Sequence, residues 1–380
     1  MRFPVMKALG AGVCALLFVL PATAGTSALL SAAPASFNPT LGQHVTLTVT
    51  TTSAARIRVQ VLDRDGYLVR SLPERDVTAA GAHALQWDGR DEAGKVVADE
   101  AYSFKASVVT PETTLSYFPA AQPARTYAVN ADQYSRRNGA LMYELPAAAR
   151  IHAQAGSAAL NEKTKVYDGP VLKTLVNREP RPMGKVVEHW NGFDESGRIY
   201  VPDVPHFVTA ILASELPENA VIAYGNRTTT FLESVASRRG TSLLPAGHGH
   251  GEQHHGGLTT LEDISPSLTV TPVGAQWDEE HGTWVFPRGN AELRVELSGP
   301  TAEAVASQPA RIVVFVDYER QLEITVRQKQ EVIRIPRERL RGSPRNVTVN
   351  WQSKRGPLAA NTVRVSAGPV VPREASHATR

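Results

Sequence analysis

Trp87-Asp-Gly-Arg-Asp91-Glu-Ala-Gly94 and Trp190-Asn-Gly-Phe-Asp194-Glu-Ser-Gly197 share the pattern W-x-G-x-D-E-x-G, and the fold is read outward from that pattern. The flanks repeat with it: Asp65-Gly66 recurs as Asp168-Gly169, Leu72 as Leu175, Gly81 as Gly184 and Phe104 as Phe207. Each pair stands 103 positions apart, with no gap needed between Asp65 and Phe104. A constant offset over that many positions marks a duplicated unit of about 100 residues, an ordinary domain size.

The motif spells strand, turn, strand. His83-Ala-Leu-Gln-Trp87 alternates and ends on an aromatic large enough to anchor a core. Asp88-Gly89 and Asp91 to Gly94 are turn residues, since Asp accepts local backbone N–H bonds and Gly supplies positive φ. Lys95-Val-Val-Ala98 and the run from Tyr102 to Val108 then resume an apolar/polar alternation. Trp87, Asp91 and Gly94, with Trp190, Asp194 and Gly197, are therefore expected to hold a β-sandwich corner. The aspartates could instead ligate Ca²⁺, but the D-x-[DN]-x-[DN]-G spacing of a dedicated loop is absent.

V-x-V-x-D-x-x-G-x-L-V-R-x-L from Val59, G-x-H-x-L-x-W-D-G-R-D-E-A-G-K-V-V from Gly81, and Tyr102-x-Phe104 together resemble the Ig-like module of the flagellar hook-capping protein, the FlgD type. Similar modules occur as repeats in secreted bacterial proteins. The resemblance covers residues 40–110 and extends to a second copy at 145–215, where Pro205 stands in the place of Tyr102. It implies a packing or docking role with no catalytic residues. The assembly region that precedes the module in the hook-capping protein has no counterpart here, so a flagellar role does not follow.

Residues 1–24 resemble a secretory signal, with Arg2 and Lys7 as the positive start, Ala8 to Leu20 as the apolar stretch and Ala22-Thr23-Ala24 as the cleavage site. The apolar run is short for a membrane span, so no transmembrane anchor is expected after cleavage. Cys14, the only cysteine, lies inside this segment, which leaves a mature chain without disulfide, thiol nucleophile or thiolate site. Formal charge is +3, and loss of Arg2 and Lys7 leaves a nearly balanced chain, with no case for nucleic-acid binding. The arginines between Arg334 and Arg345 are interrupted by acids and prolines and read as a solvated strand edge or loop.

Val45 to Thr52, Arg56 to Val61 and Leu68 to Leu72 are period-2 segments rich in β-branched residues, which predicts a sandwich over 37–109. A connection rich in tyrosine follows over 110–145, then a second module over 146–213 and a connecting region over 214–267. Thr283 to Phe286, Glu292 to Leu297, Arg311 to Val316, Leu322 to Val326 and Val347 to Trp351 predict a third β-domain over 268–367, and 368–380 is a polar tail. The expected class is all-β, with tandem Ig-like β-sandwich domains. Asn226-Arg-Thr and Asn346-Val-Thr fit a glycosylation sequon that is frequent by chance.

One stretch carries ligand chemistry. Between Gly247 and Gly257 stand His248, His250, Glu252, His254 and His255, separated by glycines. Imidazole binds Cu²⁺, Zn²⁺ or Ni²⁺ near neutral pH, and glycine lets a chain wrap around an ion. The same composition fits a His-biased linker. No GxSxG, HExxH, P-loop or dinucleotide fingerprint is present, and no cofactor is required by any motif. Asp317-Tyr-Glu319 and Asp278-Glu-Glu280 offer paired carboxylates of the glycosidase kind, beside strand or turn signals. The expected protein is thus non-enzymatic and exported to the periplasm or cell surface, docking on an envelope or extracellular protein assembly. The alternatives are a periplasmic metal-handling protein and, more weakly, a secreted carbohydrate-active one.

Overall fold

The computed structural model describes residues 29–130, 134–161, 166–229, 231, 243–244, 267–298, 302, 305–353 and 356–368. The segment 1–24, the histidine-rich stretch 247–257 and the tail beyond Gly368 lie outside these residues. Strands dominate what is described, and the architecture is all-β, built as packed sheets that are antiparallel except where Val221–Ala223 pairs with Ser36–Phe37 and Thr283–Phe286 with Gly356–Ala367.

The first unit contains β1 (Leu30–Ala33), β2 (Ser36–Phe37), β3 (Val45–Thr51), β4 (Ala55–Leu62), β5 (Leu68–Ser71), β6 (Arg75–Val77), β7 (Gly81–Trp87), β8 (Glu100–Val109) and β9 (Thr114–Tyr117). Alternation sets its two layers. Val45, Leu47 and Val49 on β3 and Ile57, Val59 and Val61 on β4 are buried, while the threonines and arginines between them face out. Sheet β1-β3-β7 packs over a sheet ordered β2-β18-β8-β4-β5. The strand completing the second sheet, β18 (Val221–Ala223), comes from far downstream and lies parallel to β2 and antiparallel to β8.

Between β9 and β18 the chain builds the second unit: β10 (Thr126–Ala128), β11 (Ala140–Leu145), β12 (Ala149–Ser157), β13 (Ala159–Asn161), β14 (Val166–Asp168), β15 (Val171–Arg181), β16 (Gly184–His189) and β17 (Phe207–Glu215). Its sheets are β10-β17-β12-β15, β11-β16 and the short pair β13-β14. The third unit holds β19 (Ser267–Val273), β20 (Gln276–Asp278), β21 (Thr283–Phe286), β22 (Ala291–Ser298), β23 (Ala310–Val316), β24 (Glu319–Val326), β25 (Gln330–Ile335), β26 (Arg345–Ser353) and β27 (Gly356–Ala367). Sheet β19-β22-β25 packs over β20-β21-β27-β26-β23-β24, and Trp351 lies within the core between them.

Two expected connections are therefore structured. Residues 110–145 supply β9, β10 and β11, and the region 214–267 supplies β18. Three residues were too few to show a period-2 pattern, and their burial depends on a sheet formed earlier in the chain. Hydrogen bonds hold this return: Asn219 Nδ2 donates to the Leu30 carbonyl at 2.9 Å, and Asp99 accepts from the Gly225 and Asn226 amides at 3.0 and 2.7 Å. Asn226 is buried, with Nδ2 donating to the Val96 and Val97 carbonyls, so its sequon is occupied by packing.

Trp87 is fully buried against Phe37, Tyr102 and Phe104, with ring centroids 5.5, 5.2 and 6.2 Å away. Trp87→Ala is expected to cost about 3–5 kcal/mol, the usual loss for a buried aromatic. Val221→Asp, which buries an unpaired carboxylate in β18, is expected to destabilise the same unit. Urea titration followed by the near-UV signal of the aromatic cluster checks both. A Val221→Asp chain that keeps its first unit at wild-type stability would show that β18 contributes nothing to it.

Candidate functional site

The two W-x-G-x-D-E-x-G stretches form the same hydrogen-bonded hairpin. The indole N–H of Trp87 donates to the Arg90 carbonyl at 3.0 Å, and that of Trp190 to the Phe193 carbonyl at 2.8 Å. Asp91 Oδ1 accepts from the Ala93 and Lys95 amides, and Asp194 Oδ1 from the Arg198 and Ile199 amides, all at 2.9–3.0 Å. The Glu92 amide reaches the Val69 carbonyl and the Glu195 amide the Leu172 carbonyl, tying each turn to the strand beneath. Gly89 and Gly192 have φ of +72° and +86°. A Cβ on Gly89 would come within 2.4 Å of Pro39, and one on Gly192 within 2.2 Å of the Tyr200 ring, so both positions exclude a side chain.

The copies differ where the sequence differs. Pro205 stands where the first unit has Tyr102, and Trp190 packs instead on Tyr134 at 4.9 Å, whose hydroxyl donates to the Trp190 carbonyl. Gly66 takes positive φ in its turn, whereas Gly169 serves a close approach, with a Cβ falling 1.9 Å from the Ser157 carbonyl oxygen.

The junction between units is centred on β12. One face of that strand, Ile151, Ala153 and Ala155, is buried in the core of its own unit. The opposite face carries Arg150, His152 and Gln154, and this face is covered as well. Arg150 Nη1 donates to Glu100 Oε1 and Nη2 to the Ala101 carbonyl at 3.3 Å, both at the start of β8 in the first unit. Arg64 Nη1 approaches Glu100 Oε2 at 3.1 Å and the Arg178 carbonyl at 3.4 Å. Glu100 is 2% exposed and the two guanidinium side chains 7% and 9%. At the other end, Gln154 Nε2 donates to the Pro357 carbonyl of β27 at 3.0 Å. Tyr318 packs beside the Trp190 cluster, and the Arg198 guanidinium lies 4.9 Å from the Trp277 ring centroid.

A cleft of about 250 Å³ opens beside this junction, lined in part by Asp63, Arg64, Ser103, Arg125, Arg150 and Glu215. Its charges are mixed and engaged with one another: Arg125 meets Glu215 at 3.3 Å, and Asp63 Oδ1 accepts from the Asp65 and Tyr67 amides. The carboxylates singled out as glycosidase-like serve turns. Asp317 accepts from Arg345 Nη1 at 2.7 Å and from the Asn346 amide, and Asp278 Oδ1 from the Glu280 and His281 amides. Among the described residues no group of three or more His, Cys, Asp or Glu could hold a metal ion. His248, His250, Glu252, His254 and His255 lie outside them.

Sequence reading missed the β12 junction. Arg150 and Gln154 alternate with apolar residues as solvent-facing positions do, and only their cross-unit partners, Glu100 and the Pro357 carbonyl, reveal them as buried, while His152 between them is half-buried among groups of its own unit. Removing one partner of a buried ion pair costs about 3–5 kcal/mol, because the other charge stays buried. Glu100→Gln is expected to show that loss in urea titration, while the triple variant Glu100→Leu, Arg64→Met, Arg150→Met recovers most of it. Burial, with the Arg178 charge second, lowers the pKa of His152 from 6.5 to about 4. Below pH 6.5 the unfolded chain takes up a proton that the folded chain refuses, so stability falls as pH drops toward 4 and levels off below it. The His152 contribution to that fall is expected to reach about 3 kcal/mol and to vanish in His152→Gln, measured by urea midpoints at pH 7 and 4.5.

Residues 35–112 match the model of the FlgD Ig-like domain. The second hairpin falls outside the matched residues. No curated protein matches the chain. Among solved structures, the chaperone DraB of E. coli is 12% identical with a TM-score of 0.20, over 42% of this chain and 85% of that one. The alpha-2-macroglobulin of E. coli is 9% identical at 0.19, over 90% of this chain and 23% of that one. A b-glucuronidase from Ruminococcus gnavus is 9% identical at 0.18, over 84% of this chain and 46% of that one. At such TM-scores these likenesses have no bearing on function. No helix among the described residues is long and apolar enough to cross a membrane. With its tryptophan hairpin, its two sheets and the family match, the segment 35–112 is a FlgD-type Ig-like module, a structural and non-enzymatic kind of domain.

Proposed function

We propose that this chain is an exported bacterial envelope protein without enzymatic activity, in which a second FlgD-type copy and a third Ig-like domain follow the first. Together they act as a stiff spacer that presents docking surface to a macromolecular assembly. The observation that carries this reading is the burial of β12 on both faces. A strand whose outward side chains are bonded to the unit before and the unit after does not allow those units to tumble freely. A signal-like start, a mature chain without cysteine and a nearly balanced charge fit export and fit a partner other than nucleic acid.

Small-angle scattering of the mature chain is expected to give one narrow distance distribution, broadened by Glu100→Gln. Cross-linking in the native envelope is expected to capture one reproducible protein partner. Units that move independently in the wild type remove the spacer role, and an unprocessed cytoplasmic chain removes export.

The histidine-rich stretch favours a second reading, capture of Cu²⁺, Zn²⁺ or Ni²⁺ by His248, His250, His254 and His255 with Glu252 as an oxygen donor. Affinity is then lost as pH falls through about 6.5, since protonated imidazole does not coordinate. Calorimetric titration of wild type against a variant with the four histidines changed to Ala decides it. Equal affinities remove metal handling and leave the docking reading untouched.

A further inference from the structure

Val316 pairs with Glu319, so β23 and β24 are joined by a loop of two residues, Asp317 and Tyr318. Both have positive φ, +45° and +76°, as the turn that matches the twist of the flanking strands requires. Asparagine and glycine are its usual occupants, because other side chains are strained in the left-handed region. The aspartate is held locally: its carboxylate accepts from Arg345 Nη1 at 2.7 Å and from the Asn346 amide at 2.9 Å. At the second position a glycine would relieve the backbone, and the chain has a tyrosine instead. Strain kept in place of an available remedy points to a role for the side chain.

What Tyr318 reaches lies in the second unit. It packs against the cluster of Tyr134, Leu172, Trp190, Val201 and Val204, which is built around the second tryptophan hairpin. Burial raises its pKa, the Asn346 side chain opposes the shift, and the carboxylates of Asp317 and of Asp194 in that hairpin reinforce it. The same hairpin offers a second hold. Arg198, directly after Gly197, places its guanidinium 4.9 Å from the Trp277 ring centroid of the third unit. In the first copy the corresponding residue is Lys95, which is exposed. A planar guanidinium stacks on an indole where an ammonium is a point charge, so the exchange suits the second copy to an aromatic partner.

We propose that the second tryptophan hairpin is the receptor on which the third unit docks, with Tyr318 as the anchor. The turn keeps a strained tyrosine because a glycine there would reach nothing in the second unit. Tyrosine suits the task, since it offers a large, rigid contact at a small entropic cost. The hairpin of the second copy thereby has two duties. It closes its own corner through the indole and Asp194, and it receives the next unit through the cluster behind Trp190 and through Arg198. The inference rests on the spacer reading, to which it adds the means by which the third unit is seated.

The test pairs a distance with a stability. Spin labels on cysteines introduced at Val187 and Val332, both exposed, report the separation of the second and third units in the mature chain. The distance distribution is expected to be narrow in wild type and in Tyr318→Phe, and broad in Tyr318→Ala and Tyr318→Gly. Hydrogen exchange of the β23 amides, followed through urea, reads the third unit separately. Both small variants lose the anchor, so comparing them isolates the backbone. The midpoint of Tyr318→Gly is expected to lie about 0.3–0.5 M above that of Tyr318→Ala. At an ordinary negative φ the order is the reverse. A Tyr318→Ala chain that keeps the narrow distribution overturns the proposal and leaves the spacer reading standing. So does a glycine variant no more stable than the alanine one. A wild type whose distribution is already broad removes the spacer reading and the anchor with it.

Discussion

A guanidinium and a carboxamide project from the same side of β12, and the units on either side are bonded to them. A central strand is normally buried through its core face and its ladder hydrogen bonds. Here the second face is buried too, and each polar group on it must then be met by a partner or left at a cost. Glu100 meets Arg150 and Arg64, and the Pro357 carbonyl meets Gln154. Those partners have to arrive in one geometry, which sets the orientation of the flanking units relative to β12.

The arrangement does more for orientation than for net stability. Burying two guanidiniums and one carboxylate costs desolvation that their attraction roughly offsets. What it penalises is misalignment, since a shift of a few ångströms strands a charge. The second tie acts differently. With β18 in the first sheet, the chain leaves that sheet after β9, builds the second unit and returns, so the second unit is tethered to the first at both of its ends. Apolar burial of Val221 and Ala223 supplies the energy, and the charge cluster supplies the angle.

The tryptophan hairpin is built in the same way in the first and the second unit. Its turn is satisfied almost entirely by its own atoms: an indole to a carbonyl three residues on, an aspartate to following amides. It therefore tolerates change around it. Where Pro205 displaces a core tyrosine, Tyr134 arrives from another part of the chain to meet the same indole.

The sequence by itself determined the all-β class, the turn chemistry of both hairpins and the FlgD type of the first module. These rest on period-2 alternation and on hydrogen bonds that span only a few residues, so the pattern and its cause lie in the same stretch. Tertiary structure decided the rest. Val221–Ala223 becomes a strand because β2 and β8 leave a gap for it, and nothing within three residues can state that. Arg150 and Gln154 occupy alternating polar positions, and alternation distinguishes two faces of a strand without saying what covers them. Whether a polar face meets water or another unit depends on groups such as Glu100 and Pro357, remote in sequence and brought together only when the units dock.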